Sequence, residues 1–230
     1  MKTIYNKNTN HYLPRVTLLL LETIILAAAC WILLFQGSQT LNDWFHWSLG
    51  DGRNERNILL FALIAIVYLR MCVTIFYLLK RVIPWEEAFT VPLAFSLYYV
   101  GFALFAMNAS EVVDGWDLPV VLLFIAGSFI NTCSEWLRDQ WKKRPENKGK
   151  LYTKGLFRYS AHINYFGDLL WVLALALVTR NPWALIVPLL LFCLFAFYNI
   201  PMLDRHLESK YGEDFRRYIA ETKKFIPFLY

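Results

Sequence analysis

Six apolar runs dominate this chain, near Val16–Phe35, Ile58–Leu79, Ala88–Met107, Leu118–Leu137, Ile163–Val178 and Ala184–Ile200. Each approaches the roughly 20 residues that carry a helix across a bilayer. A membrane offers the backbone no hydrogen-bonding partner, so segments of this kind fold as helices that satisfy themselves. The expected fold is therefore all-α, a polytopic bundle of about six spans in one integral membrane domain covering residues 1–230. The first run is longer than a signal-peptide core, which points to a retained span. The fifth is short, and an extension back through Arg158–His162 would complete it. Beyond the last run, Leu203, His206, Leu207, Lys210 and Tyr211 keep helical spacing. This predicts a C-terminal helix outside the bilayer, closed off at Pro227, with Phe225, Phe228 and Tyr230 as interfacial anchors.

Charge is scarce, at 18% of residues, and the net charge is +5. Its placement excludes nucleic acid as the reason for the excess. With the N-terminus on one side, 19 of the Lys and Arg residues fall on that side and 3 on the other. Positive-inside bias then places both termini and the basic loop Arg138–Arg158 in the cytoplasm. Cys30, Cys72, Cys133 and Cys193 all lie in apolar runs, a pattern of buried thiols and not of a disulfide framework or a metal site. No metal ligand set is expected.

Ionisable and amide side chains inside spans are costly and point to function. Glu22, Arg70, Asn131, Glu135, Asn164 and Asp168 all fall in the cytoplasmic half under this topology. Asn131, Glu135 and Arg138 share one helix face, and Asn164, Asp168 and Trp171 repeat that spacing. Arg70, Thr74 and Tyr77 form a third stripe. Glu22 and Arg70 lie at similar depth, as a structural bridge or as parts of a pocket.

The segment Gly155-Leu156-Phe157-Arg158-Tyr159-Ser160-Ala161-His162-Ile163-Asn164-Tyr165-Phe166-Gly167-Asp168 resembles the signature of steroid 5α-reductases and sterol reductases. The ending agrees, with Lys210-Tyr211-Gly212, Tyr218 and Phe225-Ile226-Pro227-Phe228. Leu78-Leu79-Lys80-Arg81 and Trp85-Glu86-Glu87 look like bacterial members, which implies a bacterial inner membrane. The signature reads Ala161-His162-Ile163-Asn164 where the common form has Arg-His-Pro-Asn.

This resemblance implies an NADPH-dependent reductase of a C=C bond in a lipophilic, steroid- or isoprenoid-like substrate. Residues 131–230 would then be the cofactor-binding half and 16–107 the substrate side. It implies cofactor contacts from Asn131, Glu135, Arg138, Lys142, Lys150, Arg158, His162, Asn164, Asp168, Arg205, His206 and Tyr211. It implies Glu22, Tyr68 and Arg70 as the catalytic group. Tyr68 and Arg70, two residues apart, point about 160° from each other on an ideal helix, so the three do not readily share one pocket. The same architecture is similar to isoprenylcysteine carboxyl and phospholipid methyltransferases, whose late acidic run fits Asp204, Leu207 and Tyr211-Gly212. That alternative implies S-adenosylmethionine as cofactor. A third reading is a non-catalytic membrane protein that keeps the fold.

Overall fold

The computed structural model describes residues 12–79 and 81–229. Lys2, Lys7 and Lys80 of the charge asymmetry, and Tyr230 of the aromatic ending, lie outside the described residues. No strand occurs among the described residues, and the protein is an all-helical polytopic membrane protein. The helical segments Leu13–Leu34, Asn54–Leu78, Trp85–Ala106, Asp117–Lys142 and Pro182–Tyr211 are long and apolar enough to cross a membrane. A sixth apolar helix, Ile163–Val178, has 16 residues. It does not extend back as the sequence suggests, because Ser160–His162 leave the helical path to bond to the C-terminal tail.

Contacts divide the chain into two compact units. The first comprises residues 12–114 and 178–184. It holds α1 (Leu13–Leu34), α2 (Gly37–Phe45), α3 (Asn54–Val73), α4 (Trp85–Ser96) and α5 (Phe102–Ala106). Pro14 stands in the first turn of α1, where a missing N–H costs nothing. α1 packs on α3 and α4. Two π-helical turns, Thr74–Leu78 and Leu97–Gly101, follow α3 and α4. The first breaks the Arg70–Thr74–Tyr77 stripe, since residues past it no longer follow the α-helical register.

Arg56, absent from the sequence reading, is fully buried at the start of α3. Its guanidinium donates to the carbonyls of Glu111 at 3.0 Å, Val112 at 2.6 Å and Val178 at 2.9 Å. Two loop carbonyls and that of Val178 are thereby satisfied.

The second unit comprises residues 115–177 and 185–229. It holds α6 (Asp117–Lys142), α7 (Ile163–Val178), α8 (Ile186–Leu194), α9 (Ile200–Tyr211) and α10 (Glu213–Glu221). A π-helical turn, Phe195–Asn199, carries α8 into α9, so the last span and the start of the tail are continuous. Gly212 ends α9, and Glu213 and Asp214 open α10, where acidic groups suit the positive end of the helix dipole. The tail helix therefore ends at Glu221, before Pro227 is reached. All four cysteines are free.

Candidate cofactor site and a separate buried carboxyl

In the second unit, α6 and α7 touch backbone to backbone. A Cβ on Gly167 would lie 2.6 Å from the Asn131 nitrogen and 2.8 Å from the Gly127 carbonyl oxygen. One on Gly127 would meet the Trp171 nitrogen at 2.6 Å. Only glycine permits this approach, the small-residue packing of membrane helices. It carries the Asn131 amide to the start of α7, where Nδ2 donates to the Asn164 carbonyl at 3.2 Å. On the same two helices, Glu135 pairs with Arg138, and Asp168 accepts the Trp171 indole N–H at 2.8 Å. Of these contacts, the Asn131–Asn164 bond joins the two helices, while the Glu135 and Asp168 contacts stay within one helix each.

The signature segment folds over the end of α6. Gly155 opens a short 3-10 turn with φ +61°, and a Cβ there would lie 2.9 Å from the Tyr152 hydroxyl. Tyr152 packs against Trp141 and Phe157, with ring centroids at 5.2 and 5.6 Å. Burial holds its phenol proton on above the usual tyrosine range, with a smaller contribution from Cys133. The Tyr218 hydroxyl donates to the Phe157 carbonyl at 2.6 Å, and burial raises its pKa too.

The tail closes the segment from its other side. Ala161 N–H donates to the Lys223 carbonyl at 2.8 Å and His162 N–H to that of Lys224 at 3.0 Å. Ser160 Oγ donates to the Phe225 carbonyl at 2.7 Å. His162, 1% exposed, places Nε2 at 2.8 Å from Asp204 Oδ1. Its ring stacks on Tyr165, which stacks on Phe195.

Two cavities open along this assembly, and both have Leu151 and Tyr218 in their walls. The narrower, about 70 Å³, takes polar groups from Arg138, Lys142, His162, Asn164, Tyr152 and Tyr211. The wider, about 550 Å³, is edged by Lys150, Arg158, Arg217, Asp214 and Glu221. On α9, Leu203, Leu207 and Tyr211 repeat every four residues and form a wall of the narrower cavity. Arg205 and His206 stand exposed and off that wall. Asn131, Glu135 and Asp168 line neither cavity. Sequence reasoning passed over Arg217, Tyr152 and Leu151, which have no motif of their own. Asp204 and Tyr218 were visible only as members of a pattern.

Of the expected trio of the first unit, Glu22 and Tyr68 both lie within electrostatic reach of the buried Tyr99 hydroxyl. Glu22 on α1 is fully buried, with Tyr99 beside its carboxyl. Tyr68 shares a 2.8 Å hydrogen bond with Thr23, on a more open part of the surface. Arg70 is half-buried, and its carbonyl accepts the Thr74 hydroxyl at 2.9 Å.

A family profile described as "Protein of unknown function (DUF1295)" matches residues 88–222. The human 3-oxo-5-alpha-steroid 4-dehydrogenase 2 is 29% identical over 131 residues, 55% of this chain and 50% of that protein. The pig protein of the same name is 32% identical over 110 residues, 48% of this chain and 41% of its own length. A probable protein-S-isoprenylcysteine O-methyltransferase of Oryza sativa subsp. indica is 26% identical over 84 residues, 36% of this chain and 44% of its own. The chain spans about half the length of the curated relatives it matches. Fold and similarity together define a polytopic helical membrane protein of the superfamily that holds steroid reductases and isoprenylcysteine methyltransferases. Within it, the chain belongs to the DUF1295 family.

Proposed function

We propose that the protein is a membrane-embedded, NADPH-dependent reductase of a C=C bond in a lipophilic substrate. The observation that carries this reading is the donor set of the second unit. Arg138 and Lys142 edge one cavity, Lys150, Arg158 and Arg217 edge the next, and the two share Leu151 and Tyr218. Five cations distributed in this way suit a ligand with two separated anionic groups, as a diphosphate and a 2′-phosphate are. Arginine grips a phosphate through paired N–H groups and lysine as a point charge. The wall chemistry fits such a dinucleotide, and the narrower cavity must widen to take a ring. S-adenosylmethionine carries a sulfonium cation and no phosphate, and five cations give it little reason to bind.

Bound there, the dinucleotide would supply a hydride. The residues of this chain would do the rest. Lys150, Arg158 and Arg217 would hold its charged end, and Tyr211, Asn164 and His162 would border the other. The anchored tail would keep water from that wall. Glu22, in the first unit, would be the acid that hydrogen-bonds a substrate oxygen as charge develops there. Residues 131–230 are then the cofactor half, residues 16–107 the substrate side, and the basic loop with both termini faces the cytoplasm of a bacterial cell.

The second reading is a methyltransferase acting on a lipid or an isoprenylcysteine-type thiol. The similarity to the rice protein and the Asp204, Leu207, Tyr211-Gly212 run favour it. One assay separates the two. Nanodisc-reconstituted protein is supplied with pooled 3-oxo-4-ene steroids and polyprenyl enones, and with either cofactor. The expected result is NADPH oxidation matched by gain of two hydrogens in one substrate. Methyl transfer from S-adenosylmethionine without NADPH oxidation would overturn the first reading.

A further inference from the structure

We infer that α2 lies in the plane of the membrane surface, and that its aromatic side inserts into the lipid leaflet met by the C-terminal end of α1. α1 is long and apolar enough to cross a membrane, and at ~1.5 Å per residue its length matches the hydrocarbon thickness. Its last turn, residues 31–34, therefore falls at a boundary between hydrocarbon and headgroups. α2 is folded back onto that turn. Gln36 takes a left-handed backbone, φ +55°, which breaks the path of α1. A Cβ on Gly37 would lie 2.8 Å from the Trp31 ring and 2.9 Å from the Ile32 Cα, so only glycine lets the start of α2 pack there. Trp44, near the other end of α2, places its ring centroid 6.4 Å from that of Trp31. Both ends of the short helix thus meet one residue of α1, which holds α2 at the depth of the boundary.

Helical spacing sorts the residues of α2 into two sides. Gly37, Leu41, Trp44 and Phe45 share one, and Ser38, Gln39, Asn42 and Asp43 the other. The chain itself covers the polar side. Asn42 donates from Nδ2 to the Leu49 carbonyl and accepts the Leu49 N–H at Oδ1, both at 2.8 Å. Ser38 Oγ donates to Asp51 Oδ1 at 3.1 Å. The Gly50 and Gly52 N–H groups donate to Asn108 Oδ1 and the Met107 carbonyl, both at 2.8 Å, just past α5. This strap keeps α2 from rolling. The apolar side is left open: Trp44 is 68% exposed, Phe45 55% and the following Trp47 48%. Phe45 and Trp47 stack on each other, with ring centroids 5.1 Å apart.

Depth and chemistry together make lipid the occupant of that side. Tryptophan has an apolar body and one polar N–H, which suits it to the headgroup boundary. The patch continues the exposed end of α1, where Leu34 and Phe35 are also uncovered. Three large rings held out into water would invite aggregation, and a leaflet removes them from water. α2 has no Lys or Arg and one acid, Asp43. Amphipathic helices that need anionic lipid are rich in basic residues on their polar side. Here apolar insertion acts alone, so a zwitterionic lipid is enough. The inference depends neither on the reductase reading nor on which side of the membrane holds the N-terminus.

The test places nitroxide labels by Asp43→Cys, Trp44→Cys and Phe45→Cys in the full chain without its native cysteines, in phosphatidylcholine nanodiscs. Power-saturation spectra compare access of oxygen, which concentrates in hydrocarbon, with access of a water-soluble nickel chelate. The oxygen-to-nickel ratio should be several-fold higher for Trp44→Cys and Phe45→Cys than for Asp43→Cys, and unchanged when phosphatidylglycerol is added. Equal ratios at the three positions would place α2 in water and overturn the inference. Shielding of the Trp44→Cys and Phe45→Cys labels from both reagents would mean that protein, a partner or a second copy, covers this side, and would overturn it too. So would membrane contact that appears only with phosphatidylglycerol. The unsubstituted chain gives an independent reading. Phosphatidylcholine with a photoactivatable diazirine near the headgroup end of its acyl chain should leave adducts on residues 44–47, located by mass spectrometry. No adduct there sinks the inference whatever the labelled variants do.

Discussion

His162 Nε2 lies 2.8 Å from Asp204 Oδ1, and Lys224 Nζ lies 3.5 Å from the second oxygen of the same carboxylate. One aspartate on α9 thus ties the residue before α7 to the C-terminal tail. His162→Ala should lower stability by about 1–3 kcal/mol, because it removes one of the two partners of a half-buried carboxylate. Trypsin cleavage at Lys223 and Lys224 should accelerate. Unchanged proteolysis would mean that the tail is held without this pair.

Gly167 should tolerate no side chain. A Cβ 2.6 Å from the Asn131 nitrogen meets backbone, which cannot swing aside. Gly167→Leu is expected to cost about 1–3 kcal/mol or more in unfolding measured in detergent. It should also weaken nucleotide binding, because it forces apart the helices that bear Arg138 and Asn164. A neutral effect on both would remove the α6–α7 contact from the account.

Tyr218 gives the protein an alkaline limit. Burial raises the phenol pKa in the folded state above its unfolded value of about 10. Its contribution is therefore complete below pH about 10 and is lost as pH rises towards the folded value. Tyr218→Phe should cost about 1 kcal/mol at neutral pH, the bond to the Phe157 carbonyl. The gap to wild type should shrink above pH 10. Thermal midpoints recorded from pH 8 to 11 would show it, and a constant gap would contradict it.

Topology is testable with two cysteines in a variant lacking the native four. Lys148 is exposed, and a Cβ at Gly115 meets nothing within 4 Å. Lys148→Cys and Gly115→Cys should label from opposite sides of the membrane. Labelling from one side would refute the proposed orientation.

Much of the fold was legible because hydrocarbon permits few alternatives: apolar runs of sufficient length become helices. The boundaries were less so. Nothing in residues 158–162 announces that Ser160 and His162 will pair with the tail, since those partners lie more than 60 positions away for Ser160. Asn131 and Asn164 could be brought together on paper because i, i+4 spacing fixes a face and Gly167 marks a close approach. Arg205 and His206 could not be excluded, as a half-turn rotation of α9 decides which residues line the cavity. Tyr99 was invisible: one tyrosine in an apolar run looks like any other until a π-helical turn directs it at Glu22.

The central claim is that the basic cavities hold a phosphorylated dinucleotide. Calorimetric titration of nanodisc-embedded protein with NADPH and with S-adenosylmethionine, at low and high salt, tests it directly. The comparison is wild type against the triple variant Lys150→Gln, Arg158→Gln, Arg217→Gln. We expect NADPH to bind, more weakly as salt screens the exposed cations, and about tenfold or more weakly in the variant. S-adenosylmethionine should bind poorly to both. Tight S-adenosylmethionine binding that ignores the three substitutions, with no NADPH binding, would contradict the account.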